Sequence, residues 1–135
     1  ERKIDKIYLA IVKGVPKNDK GVLEGYLRKR ETDKRMIVFR MEREKTTYAK
    51  LSYKLIETRD AKSLLQITPE TGRRHQIRAL LAHAGTPVWG DCKYGSGPKL
   101  RGRIALLAHR ITFNHPTKGE RITVESLVPP NWPWP

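Results

Sequence analysis

The 135 residues carry 28 Lys and Arg against 14 Asp and Glu, a formal net charge of +14, and 38% of them are hydrophobic. That is apolar material for one modest core rather than two, and no run of 18 apolar residues encodes a transmembrane helix. The single cysteine, Cys92, excludes an internal disulfide framework and a cysteine-based zinc cluster. With no signal-peptide core in view, it points to a reducing, cytoplasmic setting.

In chain order, Ile7–Val12 is a β-rich run that stops at Gly14-Val15-Pro16, which predicts a strand and a turn. Gly21–Leu27 is a second strand candidate, followed by a charged Arg28–Arg35 connection; Met36–Phe39 is a short third. Thr46–Ile56, rich in Thr, Tyr and Leu, and Ser63–Thr68 form a hairpin around Arg59-Asp60-Ala61-Lys62. Pro69-Glu70-Thr71-Gly72 breaks the β pattern. From Arg73 to His83 the pattern is helical: Ile77, Leu80, Leu81 and Ala84 share one apolar face, and Gly85 and Pro87 end it. A Gly-rich loop from Trp89 to Pro98, an apolar run Ile104–Phe113 and a last strand Ile122–Leu127 follow. Residues 128–135 are a Pro/Trp tail that cannot be regular structure. The sum is an α+β fold, a mixed, largely antiparallel β-sheet with one main helix.

The charge is unevenly opposed. Residues 1–60 mix 17 basic with 10 acidic side chains, whereas residues 71–110 hold eight basic residues and one acid, Asp91. Such a stretch suits a phosphate backbone. An anionic membrane is the competing partner, but it would want a basic amphipathic helix with exposed aromatics. Here Trp89 sits in a loop and Trp132 and Trp134 in the tail, so nucleic acid is the expected partner, with no membrane.

On the helix, at about 100° per residue, Arg78 stands about 100° from Ile77, at the edge of the apolar stripe. A partly desolvated guanidinium wants a carboxylate or phosphate. No acid lies within four residues, so its partner comes from elsewhere in the fold or from a ligand. His75 and Gln76 point away from Ile77 on this wheel and could donate to phosphate or base edges. His75 and His83 are not four residues apart and no Glu accompanies them, so no metal site is expected.

The segment Gly72-Arg73-Arg74-His75-Gln76-Ile77-Arg78 closely resembles the G-R-x-H-Q-I/L-R signature of the RluA-type pseudouridine synthases, which modify uridines in ribosomal and transfer RNA. Other matches come in the family's order. Lys6-Ile7-Tyr8-Leu9-Ala10 then Gly14 resembles its K-x-Y-x-A…G strand. Gly85–Asp91 then Tyr94-Gly95 resembles its G-x-P-I-x-G-D-x-x-Y-G loop. Arg103–Ala108 then Phe113-Asn114-His115-Pro116 resembles its R-x-x-L-H-A…F-x-H-P strand, with Leu107 where the family usually has His. The resemblance runs from about residue 3 to Leu127.

The resemblance implies a cofactor-free, metal-free isomerisation of uridine. Tyr8 is the implied active-site Tyr, able to stack on uracil and assist proton removal from C5. Arg78 is the implied cation beside the nucleophilic carboxylate. Arg73, Arg74 and Lys93 would hold the RNA backbone through phosphates, with His75 and Gln76 as further RNA contacts. The family's nucleophile is an Asp in an H-R-L-D motif about thirty residues before that Tyr. Only seven residues precede Tyr8, and Asp5, Asp19, Asp33, Asp60 and Asp91 lie outside such a context. The chain is therefore expected to be the C-terminal part of a catalytic domain, inactive alone and needing the missing N-terminal part as its partner. The alternatives are a non-catalytic basic RNA-binding module and a small nuclease using His75 or His115. No carboxylate cluster for Mg²⁺ lies near either His in the sequence, which disfavours the nuclease.

Overall fold

The computed structural model describes residues 4–95, 104–114 and 120–126. Seven strands and one helix follow in the order β1 (Ile4–Lys13), β2 (Lys20–Lys29), β3 (Met36–Phe39), β4 (Thr47–Arg59), β5 (Lys62–Pro69), α1 (Gln76–His83), β6 (Leu106–Asn114) and β7 (Arg121–Glu125). They form one sheet in the order β3-β2-β4-β5-β1-β6-β7. Every pairing between these strands is antiparallel, so the sheet expected as mixed is antiparallel among the described residues. Leu127 and the 128–135 tail lie outside the described residues, as do His115 and most of the Gly-rich loop beyond Gly95.

The strands form where β-branched and aromatic residues alternate. In β4, Ala49 and Leu51 are buried, whereas Lys50 and Ser52 on the opposite face are only half-buried. Leu65 and Ile67 of β5 and Leu27 of β2 face the same core. β4 and β5 are joined by two residues, Asp60 and Ala61, both at positive φ (53° and 61°). That is the backbone of a type I′ hairpin turn, whose twist matches the strands. It sets Arg59 opposite Lys62.

α1 lays Ile77, Leu80 and Leu81 onto the sheet and packs against β2, β3 and β4. Gly25 of β2 makes room for the neighbouring strand β3, where a Cβ would meet Val38 Cγ1 at 2.7 Å. At the C-terminus of α1 Gly85 turns left-handed (φ 92°), and the Gly85 and Thr86 amides donate back to Ala82 and Leu81, a glycine stop of the expected kind. The helix begins at Gln76 rather than Arg73, for a physical reason. His75 adopts φ 54°, ψ 18°, a left-handed conformation that cannot continue a right-handed helix. The Arg73–His75 stretch is therefore a turn.

β1 is first in the chain but lies between β5 and β6. Its second half also bonds the loop strand beside it: Ile11 N–H donates to Ala105 O, Lys13 N–H to Pro87 O, and Trp89 N–H to Ile11 O.

Candidate active site

A cavity of about 320 Å³ opens between the turn before α1 and the sheet, lined by Lys6 and Tyr8 of β1, Leu106 of β6, Pro69, and the segment from Thr71 to Arg78 save Arg74. Its volume falls at the low end of small-ligand sites, about 300–1,000 Å³. A larger hollow of about 580 Å³ beside the β1–β2 turn has, among the described residues, Lys17 as its one charged lining residue, and so offers little for chemistry.

Tyr8 reaches the first cavity because β1 alternates and Tyr8 shares the face of Ala10 and Val12. Beside it the β1–β6 register slips. Ile7 faces Arg110 while Tyr8 faces Ala108, leaving His109 as an extra residue on β6. Bulges of this kind re-aim side chains.

The turn is built by Gln76. Its Oε1 accepts from the Arg73 amide (3.0 Å) and the Thr71 hydroxyl (2.5 Å), and its Nε2 donates to the Thr71 carbonyl. Gln76 is 4% exposed. This corrects the expectation that it points away from the core. Its lining atoms belong to an amide already held by three bonds inside the chain. Arg73 donates from Nε to the Tyr48 carbonyl at 2.9 Å, which ties the turn to β4.

Arg78 is where the sequence put it, at the border of the apolar face, and its distant partner is Asp91. Nε and Nη2 donate to the two carboxylate oxygens at 2.8 Å each. The Arg78 side chain is 18% exposed and Asp91 fully buried. Asp91 Oδ1 also accepts the Tyr94 amide at 3.2 Å. The Asp91 bonds raise the Arg78 pKa above its ordinary value, and the charge is permanent.

The remaining guanidinium nitrogen, Nη1, meets His75 Nε2 at 3.2 Å. Arginine only donates, so Nε2 accepts, the imidazole is neutral and its proton sits on Nδ1. Nδ1–H then donates to the Tyr94 hydroxyl, 3.3 Å away, which also accepts the Met36 amide at 3.0 Å. Burial, and then the charges of Arg78, Arg74 and Lys93, lower the His75 pKa, in agreement with the neutral form.

Of the residues singled out in the sequence, the cavity gathers Tyr8, Arg73, His75, Gln76 and Arg78. Arg74 is exposed on the turn and Lys93 half-buried in the following loop, both outside the lining. The residues not assigned a role from sequence are Asp91, Tyr94, Lys6, Thr71 and Leu106. Asp91 carried a signal as the one acid among residues 71–110. Lys6 carried one as the residue two before Tyr8 on the same strand, whereas the meeting of Leu106 with β1 is set by cross-strand register rather than by spacing.

A family model described as RNA pseudouridylate synthase matches residues 1–83. The chain is 32% identical to an uncharacterized RNA pseudouridine synthase of Chlorobaculum parvum, over 95% of this chain and 45% of that protein. It is 32% identical to a ribosomal large subunit pseudouridine synthase C of Buchnera aphidicola (93% and 42%). It is 28% identical to a tRNA pseudouridine synthase C of Vibrio parahaemolyticus (98% and 61%). Among solved structures, human RNA pseudouridylate synthase domain containing 1 superposes with a TM-score of 0.80 at 25% identity, covering 94% of this chain and 56% of that one. The chain thus spans about half the length of the curated relatives it matches.

Proposed function

Because the chain belongs to the RNA pseudouridylate synthase family, we propose that it forms the uridine-holding part of an enzyme that isomerises uridine to pseudouridine in ribosomal or transfer RNA, the substrates named for the relatives from Buchnera and Vibrio. The observation that carries this reading is the meeting of Tyr8 and Arg78 in one cavity, although 70 residues separate them in the chain. The reaction breaks the C1′–N1 bond, turns the base and joins C5 to C1′, with loss of the C5 proton. A carboxylate nucleophile can carry the sugar or base covalently between these steps. Among the described residues the cavity lining contains no carboxylate, and Asp91 is spent on Arg78. The nucleophile is therefore assigned to residues outside this sequence, with Arg78 as the fixed cation that keeps it ionised and Tyr8 as the phenol that stacks on the base and assists removal of the C5 proton.

To reach this cavity the uridine leaves its stack at a cost of a few kcal/mol, least in a loop. Arg73 at the rim, with Arg74 and Lys93 outside it, holds the flanking phosphates. Gln76 shapes the turn that carries these arginines. The enzyme works in the cytoplasm and needs neither cofactor nor metal. The test is tritium release from RNA labelled at uridine C5. The full-length gene product containing this sequence turns over, and the 135 residues alone do not. Turnover by the 135 residues would overturn the placement of the nucleophile. Salt-sensitive RNA binding by a full-length product that isomerises no uridine would favour a binding module instead.

A further inference from the structure

We propose that His75 is a positioning residue for Arg78: it fixes the guanidinium by accepting from Nη1 through a neutral Nδ1–H imidazole, and protonation of the ring releases that hold. The inference rests on the proposed synthase reading for its catalytic arm but on geometry alone for its structural arm. Asp91 binds the Nε–Nη2 edge of Arg78, which leaves Nη1 the one guanidinium nitrogen able to turn toward a ligand in the cavity. His75 Nε2 sits against it at 3.2 Å. The ring is itself held edge-on to Tyr94, centroids 6.0 Å apart and planes at 89°, with Nδ1 at the Tyr94 hydroxyl. Tyr94 is pinned by the Met36 amide and by Arg78 and Arg35 lying over its ring at 5.1 and 5.0 Å. The left-handed backbone of His75 is an uncommon conformation for a residue with a side chain, and it sets the ring between the cavity and the loop.

The acceptor role exists in one protonation state only. An imidazolium has no lone pair for Nη1 and would stand as a second cation 3.2 Å from the first. The charged groups around the ring reinforce this. Arg78 on α1, Arg74 on the turn and Lys93 in the following loop oppose a proton, and Asp91 favours one. Across the cavity Lys6 and Tyr8 of β1 and Arg73 of the turn face the same space, two of them cationic. On the side of Tyr94, Arg35 adds a further positive charge. Lowering the pH below the ordinary imidazole range therefore loosens Arg78 without disturbing its Asp91 bonds.

Two variants separate positioning from mere structure. In His75→Gln an amide oxygen replaces Nε2 as an acceptor that does not titrate; in His75→Ala the acceptor is gone. In the full-length gene product at saturating enzyme, the wild-type single-turnover rate falls on the acid side as His75 charges. His75→Gln keeps a rate within about threefold and loses that acid limb. His75→Ala loses about tenfold at neutral pH, a deficit that narrows on the acid side where the wild-type ring is charged, and saturating enzyme separates this loss from any change in RNA affinity. An unchanged acid limb in His75→Gln, or a wild-type rate in His75→Ala at neutral pH, overturns the proposal. Nitrogen NMR of the imidazole decides it independently of activity. A protonated Nδ1 with a bare Nε2, lost on acidification together with a shift of the Arg78 Nη1 signal, is the expected result, and an Nε2–H tautomer refutes the inference even in an active enzyme. Failure of the isomerase assay with the expected tautomer present would instead remove the synthase reading and leave the Arg78–His75 coupling standing.

Discussion

Replacing Asp91 by Ala exposes how much the site depends on one ion pair. Arg78 would remain 18% exposed with two donors unbonded and, because arginine does not deprotonate, no means of shedding its charge. The Tyr94 amide would lose its acceptor too. Breaking a buried pair from one side costs about 3–5 kcal/mol. With an unfolding entropy of about 2.1 cal/mol/K per residue, 135 residues give about 0.28 kcal/mol/K, so Tm falls by about 11–18 °C. Arg78→Ala has a comparable cost at neutral pH, but the stranded Asp91 can take up a proton. A buried carboxyl without its partner has a raised pKa, so the Arg78→Ala deficit shrinks as pH falls toward the carboxylate range, whereas the Asp91→Ala deficit does not. The double variant Arg78→Met/Asp91→Leu, which removes both charges, costs well below the sum of the two single changes. Thermal unfolding followed by circular dichroism at pH 7 and pH 4.5 measures all four proteins. An Asp91→Ala melt within about 2 °C of wild type, or strictly additive costs, would refute the claim that this pair is buried and coupled.

In the full-length product, Arg78→Ala loses at least about 10²-fold in single-turnover rate and Arg78→Lys is partly active, because charge returns without the two-pronged geometry; Arg74→Ala mainly weakens RNA binding, and the reverse pattern would show the two roles misassigned. RNA binding falls steeply with salt: about four to six phosphate contacts on single-stranded RNA give a slope of log K against log[salt] of roughly −3 to −4, which a filter-binding series checks and a flat response contradicts. Gln76→Leu strands the Arg73 amide and the Thr71 carbonyl, costing about 1–3 kcal/mol in denaturant unfolding, and it lowers RNA affinity by loosening the turn; an unchanged midpoint would mean the turn stands without it.

Much of this architecture is legible in the residues, and the failures have local causes. The strand runs announce themselves because β-branched and aromatic residues alternate, and the hairpin at Asp60-Ala61 follows from two runs separated by a short polar break. Arg78 was legible as a guanidinium on the apolar border that lacked a nearby acid, and the fold supplies that acid 13 residues on. The helix start was not legible. A wheel drawn through Arg73 assumes a helix there, while the Gln76 side chain bonds back to Thr71 and Arg73 and His75 turns left-handed. Hydrophobic spacing carries no trace of a side chain that folds back onto its own turn. The approach of Leu106 to the cavity depends on the β1–β6 pairing, where it faces Ala10, and that pairing arises only when the strands meet.

The position of β1 in the sheet bears on the order in which the site comes into being. β2 to β5 are linked by short connections and need only near neighbours, so they can assemble early. β1 has to wait for β5, with Tyr8 meeting Ile67, and for β6, with Tyr8 meeting Ala108. Each closure spans a large part of the chain and carries a correspondingly greater entropic cost. Pulse-labelled amide exchange during refolding should therefore protect Leu51 and Leu65 before Leu9. An intermediate holding strands β2 to β5 and the helix already carries Arg73 and Arg74 on its turn while Tyr8 is not yet in place. On the proposed function, affinity for RNA would thus be acquired before the means of acting on it, and a folding chain could meet its substrate while still unable to change it.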